Sequence, residues 1–111
     1  MRRGDLVLTR LPSDFGKLRP AVVVQSDQLA DADSVIVCPL TTHDRDAPFF
    51  RLTVQANAHT GLFETSQVMV EKIAAVRPDR CGRQIGRVSE ETLLALDRLL
   101  AFVLGLSEEP A

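Results

Sequence analysis

Runs of β-branched and apolar residues alternate with short polar interruptions along most of the chain, and only the C-terminal quarter changes period. Asp5 to Arg10 alternates, with Leu6 and Leu8 on one face and Val7 and Thr9 on the other, and reads as a first strand. Pro12-Ser13-Asp14-Phe15-Gly16 is loop chemistry. Pro20 has no N–H to give a ladder and suits the first residue of a second strand, Ala21 to Gln25. A turn over Asp27 to Asp33, with room for one helical turn, leads to a third strand, Ser34 to Leu40. Thr42 to Pro48 carries alternating charges and is expected to be exposed. Phe50 to Gln55 alternates as a half-buried strand, and Asn57 to Thr60 turns. Ser66 to Ile73 is predicted to be a strand that Ala74 to Val76 prolongs after a bend, and Gln84 to Val88 a last short one. The period then becomes helical. Ser89 is placed to cap, Glu90 and Glu91 lie where a helix dipole favours carboxylates, and Gly105 can end the helix. Leu93, Leu96, Leu100, Val103 and Leu104 form its apolar stripe. Several short strands followed by one amphipathic helix predict a small, strongly curved sheet with the helix against it.

A chain of 111 residues is one domain and can bury a modest core without metals or disulfides. We take 1–106 as that domain and 107–111 as an acidic frayed tail. Cys38 and Cys81 are too few and too scattered for a disulfide framework or a zinc site, and His43 and His59 lack paired metal-ligand spacing, so no metal or cofactor is expected. No apolar stretch approaches the roughly 20 residues of a membrane span, and Met1-Arg2-Arg3 runs straight into Gly4-Asp5, which is no signal peptide. A cytoplasmic protein without membrane contact is expected.

The net charge of −2 argues against a nucleic-acid partner, but its distribution does not. Residues 1–19 carry five basic against two acidic side chains, and residues 72–87 five against one, while 88–111 hold one against five. A basic face beside an acidic helix can bind a short RNA; a mixed, solvated surface is the plainer alternative. Three of the apolar runs start or stop at polar groups: Arg19 before the second strand, Thr41 and Thr42 after the third, Ser66 before the fifth. A guanidinium and hydroxyls brought together at strand ends suit a phosphate.

Met1-Arg2-Arg3-Gly4-Asp5-Leu6-Val7, Gly16-Lys17-Leu18-Arg19-Pro20-Ala21-Val22-Val23-Val24, Cys38-Pro39-Leu40-Thr41-Thr42, Gly61-Leu62 and Ser66-Gln67-Val68-Met69-Val70-Glu71-Lys72 follow one another in an order and spacing that resemble the MazF/PemK family of toxin endoribonucleases. The resemblance implies that family's fold, mainly β with a C-terminal α-helix, an SH3-like small barrel of strongly curved antiparallel sheet, working as a homodimer. It implies the toxin of a type II toxin–antitoxin system that cleaves single-stranded RNA sequence-selectively and without a metal, the RNA's own 2′-hydroxyl attacking the neighbouring phosphorus to leave 2′,3′-cyclic phosphate and 5′-hydroxyl ends. The implied partners are RNA and a cognate antitoxin with a disordered acidic and apolar tail, with DNA bound only through the antitoxin complex.

By the same resemblance Arg19 and Thr41 are the catalytic pair, Arg19 stabilising phosphoryl charge and Thr41 hydrogen-bonding the scissile phosphate. Lys17, Thr42, Ser66, Glu71, Phe15 and His43 are supporting or RNA-binding residues. Glu71 matches an acidic position that some members are thought to use as a general base; it could equally pair with Arg19. His43 is the natural acid–base group, although the family places no histidine there. Ala74-Ala75 stand where the family often has Arg-Thr, and the 12–18 loop is short. Of five Phe residues, Phe15 and Phe49 lie in loops as base contacts and Phe50, Phe63 and Phe102 are assigned to the core. Two other functions stay open at this point: a CcdB-like toxin that binds DNA gyrase without catalysis, and an SH3-like binding module.

Overall fold

The computed structural model describes residues 1–108, Ser13 by its backbone alone. Seven strands and one helix follow in the order β1 (Asp5–Arg10), β2 (Leu18–Val23), β3 (Val35–Thr41), β4 (Arg51–Val54), β5 (Ser66–Met69), β6 (Ala74–Val76), β7 (Cys81–Arg87) and α1 (Glu90–Val103). The strands form one antiparallel sheet ordered β4-β5-β3-β2-β1-β7, with β6 also paired to β3. It is the expected curved sheet with a C-terminal helix, an open curl whose path ends at β4 and β7 rather than a closed ring.

β3 causes the curl. Its first half, Val35 to Val37, pairs with β6 and its last two residues, Leu40 and Thr41, pair with β5. Between them stands Pro39, which has no N–H for either neighbour. The expected continuous strand from Ser66 to Ile73 is therefore broken. A 3-10 turn at Val70–Lys72 carries the chain from β5 to β6 along the same edge of β3, with Val70 fully buried as its anchor. Glu71 and Lys72 are placed at that corner.

Pro20 is the third residue of β2, not its first, because β1 keeps pairing as far as Arg10↔Leu18. On the other side the β2–β3 ladder stops at Ala21↔Pro39. Pro20 stands where the ladder ends: its nitrogen faces β3 and has no N–H to form the next rung. Beyond this point the start of β2 and the end of β3 separate.

Both faces of the sheet are covered. Leu6, Val22, Leu40, Val68 and Val70 pack beneath α1 with Leu96, Leu99 and Leu100, while Val7, Ala21, Val23, Val37 and Val76 form a second cluster on the opposite face. The alternation along β1 thus feeds two cores. The helix presents Leu99 rather than the expected Leu104, which is 54% exposed beyond the last turn. Ser89 caps the start, its Oγ accepting from the Thr92 N–H at 3.1 Å. Gly105, at φ 76°, ends the helix: its N–H reaches the Phe102 carbonyl and that of Leu106 the Ala101 carbonyl, the paired bonds of a Schellman turn. Of the acidic tail, Ser107 is drawn back to the Ala101 carbonyl at 3.1 Å, and residues 109–111 lie outside the described residues. No helix among the described residues is long and apolar enough to cross a membrane.

Candidate functional site

Three shallow clefts meet where β2 and β3 separate, and Arg19 is a wall of all three. The first, about 230 Å³, lies between the start of β2, the end of β3 and the segment before β5; Lys17, Thr41, Thr42, Phe63, Glu64 and Ser66 line it. The second, about 310 Å³, is walled by Thr41, His43, Arg45, Arg51 and Lys72. The third, about 390 Å³, is of mixed character, running over Leu11, Pro39, Met69, Ile73 and Ala74 between Asp14 and Lys72. Thr41 is common to the first two.

Arg19 is half-buried and its guanidinium is held. The Asp14 carboxylate accepts from Nε and, at 3.2 Å, from Nη2. Among the described residues Nη1 has no hydrogen-bond partner. Asp14 reaches Arg19 because the segment Pro12–Asp14 winds into a 3-10 turn, closed by Phe15 in the left-handed region at φ 55°. The Arg19 hydrogen bond holds the Asp14 carboxyl below its ordinary range against partial burial, and the charges of Arg19, Lys17 and Lys72 add to the effect.

Thr41 is 7% exposed, and its Oγ1 accepts from the backbone N–H of His43 at 3.1 Å. This bond leaves the hydroxyl proton available to a ligand. The loop beyond is fixed by Gln67, the cross-strand neighbour of Thr41. Its side-chain amide bonds both the N–H and the carbonyl of Arg45, at 3.0 and 3.1 Å, as a strand would. His43, Asp44 and Arg45 are thereby laid along the second cleft.

The remaining expected residues divide. Lys17, Thr42 and Ser66 line the first cleft with Arg19 and Thr41. The Ser66 hydroxyl also donates to the Glu64 carbonyl at 2.9 Å, so it is a local turn bond and a cleft wall at once. Glu71 does not pair with Arg19. It accepts three bonds, at 2.8 to 3.1 Å, from Nε and Nη2 of Arg51, whose side chain is only 7% exposed. The reason is geometric: Glu71 follows β5, and β5 neighbours β4 with Arg51 opposite Met69. Phe15 is fully exposed at its loop tip and lines none of the three clefts. Phe49 is half exposed, its ring tilted against Phe102 of α1 with ring centres 6.1 Å apart, and it lines none of the three clefts. Phe63 is a correction: it is fully exposed on the first cleft rather than in the core.

The cationic patch draws only in part on the two basic windows. Arg3 is tied to Asp97, Arg87 to Asp5 and Arg77 to Asp79. Arg19, Arg45, Arg51 and Lys72 converge instead, from four separate segments. Arg45 and Arg51 lie outside both basic windows, and Asp14 read only as loop. Their role carries no signal along the chain, because it is created by strand pairing.

Among the described residues no group of three or more His, Cys, Asp or Glu side chains is arranged to hold a metal ion. What the site can do is bind a phosphate diester between a guanidinium and a hydroxyl, with further cations at its margin.

The chain matches, over residues 2–104, the family model described as PemK-like, MazF-like toxin of type II toxin-antitoxin system. It is 34% identical over 108 residues to a protein of Mycolicibacterium smegmatis named probable endoribonuclease MazF, covering 96% of this chain and 99% of that one. Among solved structures it resembles the Mycobacterium tuberculosis toxin MazF-mt6, with a TM-score of 0.80 at 23% identity over 93% of this chain and 98% of that one. It also resembles a mycobacterial endoribonuclease in complex with its cognate antitoxin, with a TM-score of 0.79 at 24% identity over 96% and 97%. At these identities the two structures show the shared fold.

Proposed function

This chain belongs to the PemK-like, MazF-like toxins of type II toxin–antitoxin systems, and from that we propose that it is a metal-independent endoribonuclease acting on single-stranded RNA. The observation that carries the reading is the placement of Arg19 and Thr41 on facing walls of one cationic cleft. The M. smegmatis relative, named as a probable endoribonuclease, supports it.

In this reading the scissile phosphate sits between the two. The free Nη1 of Arg19 and the hydroxyl of Thr41 donate to its non-bridging oxygens, where charge grows as the 2′-oxygen bonds to phosphorus. The 2′-hydroxyl proton leaves to a base and the departing 5′-oxygen takes up a proton, giving 2′,3′-cyclic phosphate and 5′-hydroxyl ends. His43, exposed on the second cleft, is the side chain with ordinary chemistry for those transfers. Glu71 acts through Arg51, fixing it at the margin. Arg45, Arg51 and Lys72 hold flanking phosphates.

The protein works as a homodimer, with two copies lengthening the RNA path. It is silenced by an antitoxin whose acidic and apolar tail covers the same cations, and it meets DNA only through that complex. The mycobacterial structure with a cognate antitoxin is the precedent for such a partner.

The deciding experiment incubates the protein with a single-stranded RNA in excess EDTA, beside the same RNA carrying 2′-deoxyribose 5′ to the cut. Cleavage with 5′-hydroxyl ends in the first and none in the second is expected. A requirement for a divalent metal, or cleavage of the deoxy-substituted strand, overturns the mechanism.

A further inference from the structure

Phe63 is a fully exposed aromatic side chain on a segment that is not free to move. Gly61 stands at φ 70° with its missing Cβ 1.9 Å from the Ile85 carbonyl oxygen, so the chain is pressed directly onto β7. Leu62 is buried in the core beneath α1. After Phe63, the Ser66 hydroxyl ties back to the Glu64 carbonyl, and Thr65 Oγ1 donates to the Gln55 side chain at 3.1 Å. The ring is therefore held out in water by a braced loop, at the rim of the cleft that Lys17, Arg19 and Thr41 also line. Its neighbour Glu64 lines that cleft too. A carboxylate repels phosphate, so beside Lys17 and Arg19 it does not serve the RNA backbone. It is suited to accept from an exocyclic amino group on a base edge.

We infer that Phe63 and Glu64 form the base-recognition element of this protein: Phe63 stacks on the base of a nucleotide flanking the bond that is cut, and Glu64 selects for a base with an amino group, disfavouring uracil. The inference rests on the ribonuclease reading and adds to it the residues that choose the site. Stacking on an aromatic ring tolerates any base, whereas a carboxylate acceptor does not, so affinity and selectivity fall to different side chains.

The test compares wild type with Phe63→Leu, Phe63→Trp and Glu64→Gln on a short oligonucleotide containing a preferred site, and on a long RNA whose cuts are mapped. Affinity for a labelled oligonucleotide is measured in the Arg19→Ala background. Phe63→Leu is expected to raise KM and weaken binding about tenfold or more with kcat changed only a few-fold, Phe63→Trp to restore both, and Glu64→Gln to flatten the base preference next to the cut. Urea midpoints are expected to stay at the wild-type value, since Phe63 has no contacts to lose. Unchanged KM, affinity and cut pattern in Phe63→Leu overturn the inference. So does a Phe63→Leu protein that loses only its self-association by light scattering, or only its antitoxin. If wild-type protein cuts RNA while Phe63 is without effect, this inference alone falls; if wild-type protein neither cuts nor binds RNA, the ribonuclease reading falls with it.

Discussion

Arg19 and Thr41 occupy opposing positions on the register that Val22↔Cys38 and Ala21↔Pro39 establish, yet no ladder joins them. Pro20, one position before, has no N–H for the next rung, and the gap that opens is the cleft. A backbone defect thus creates the space in which a guanidinium and a hydroxyl face each other without touching.

Arg19→Ala removes a donor that is present in the cleft before any substrate arrives. RNA cleavage is expected to fall about 100- to 1000-fold. Arg19→Lys is expected to rescue little, because a point charge cannot keep Asp14 on two nitrogens and still offer a third. Thr41→Val keeps the shape and is expected to slow cleavage with the urea midpoint nearly unchanged. Single-turnover rates on one oligonucleotide check all three, and Arg19→Ala cleaving within tenfold of wild type removes Arg19 from the mechanism.

Asp14 orients Arg19, and the pairing is visible without any assay of activity. Its carboxyl titrates below the ordinary value of 3.8 in the folded protein. With the folded value below the unfolded one, the pair contributes stability above about pH 4 that disappears as pH falls through the folded value. Carboxyl carbon NMR is expected to show the low titration in wild type and an ordinary one in Arg19→Ala. Asp14→Asn is expected to leave the pH 7 fold intact but reduce cleavage, the guanidinium having lost the acceptor that sets its direction.

Arg51 and Glu71 form the most enclosed ion pair at the site. Arg51→Met leaves Glu71 without its three bonds, and a loss of about 1.5–3 kcal/mol is expected from urea unfolding. Glu71→Gln keeps two of the acceptor contacts and is expected to cost less. Equal costs would show that the charge, not the geometry, holds β4 to the turn between β5 and β6.

Cys38 lies fully buried beneath the helix, and burial, with Glu71 adding, pushes its thiol up to about 12. Burial raises the Cys81 thiol as well. At pH 8 both are expected to be protonated, and a thiol reagent should modify Cys38 only on unfolding while Cys81, half-exposed, reacts slowly. Two fast-reacting thiols in native protein would contradict the packing.

The local elements were readable in advance because their causes are local. β1 is the alternation of Asp5 to Arg10, and the helix start is Ser89 with its two carboxylates. The strand from Ser66 ends at Met69 rather than Ile73, although Val70 and Ile73 are β-branched residues suited to continue it. Only the need to move from one half of β3 to the other breaks it there. Phe63 follows the same logic: an aromatic side chain suits a core, and only the braced loop turns it outward.

By itself the sequence determined most of the strands, the capped helix and the family, since periodicity and motif order need no knowledge of neighbours. The tertiary structure alone decided which carboxylate each guanidinium meets, Asp14 for Arg19 and Glu71 for Arg51, and which cations gather at the cleft. Charges interact over a few ångströms of space rather than along the chain, and those separations are set by the shared edge of β3 and by the proline-ended ladder beside it.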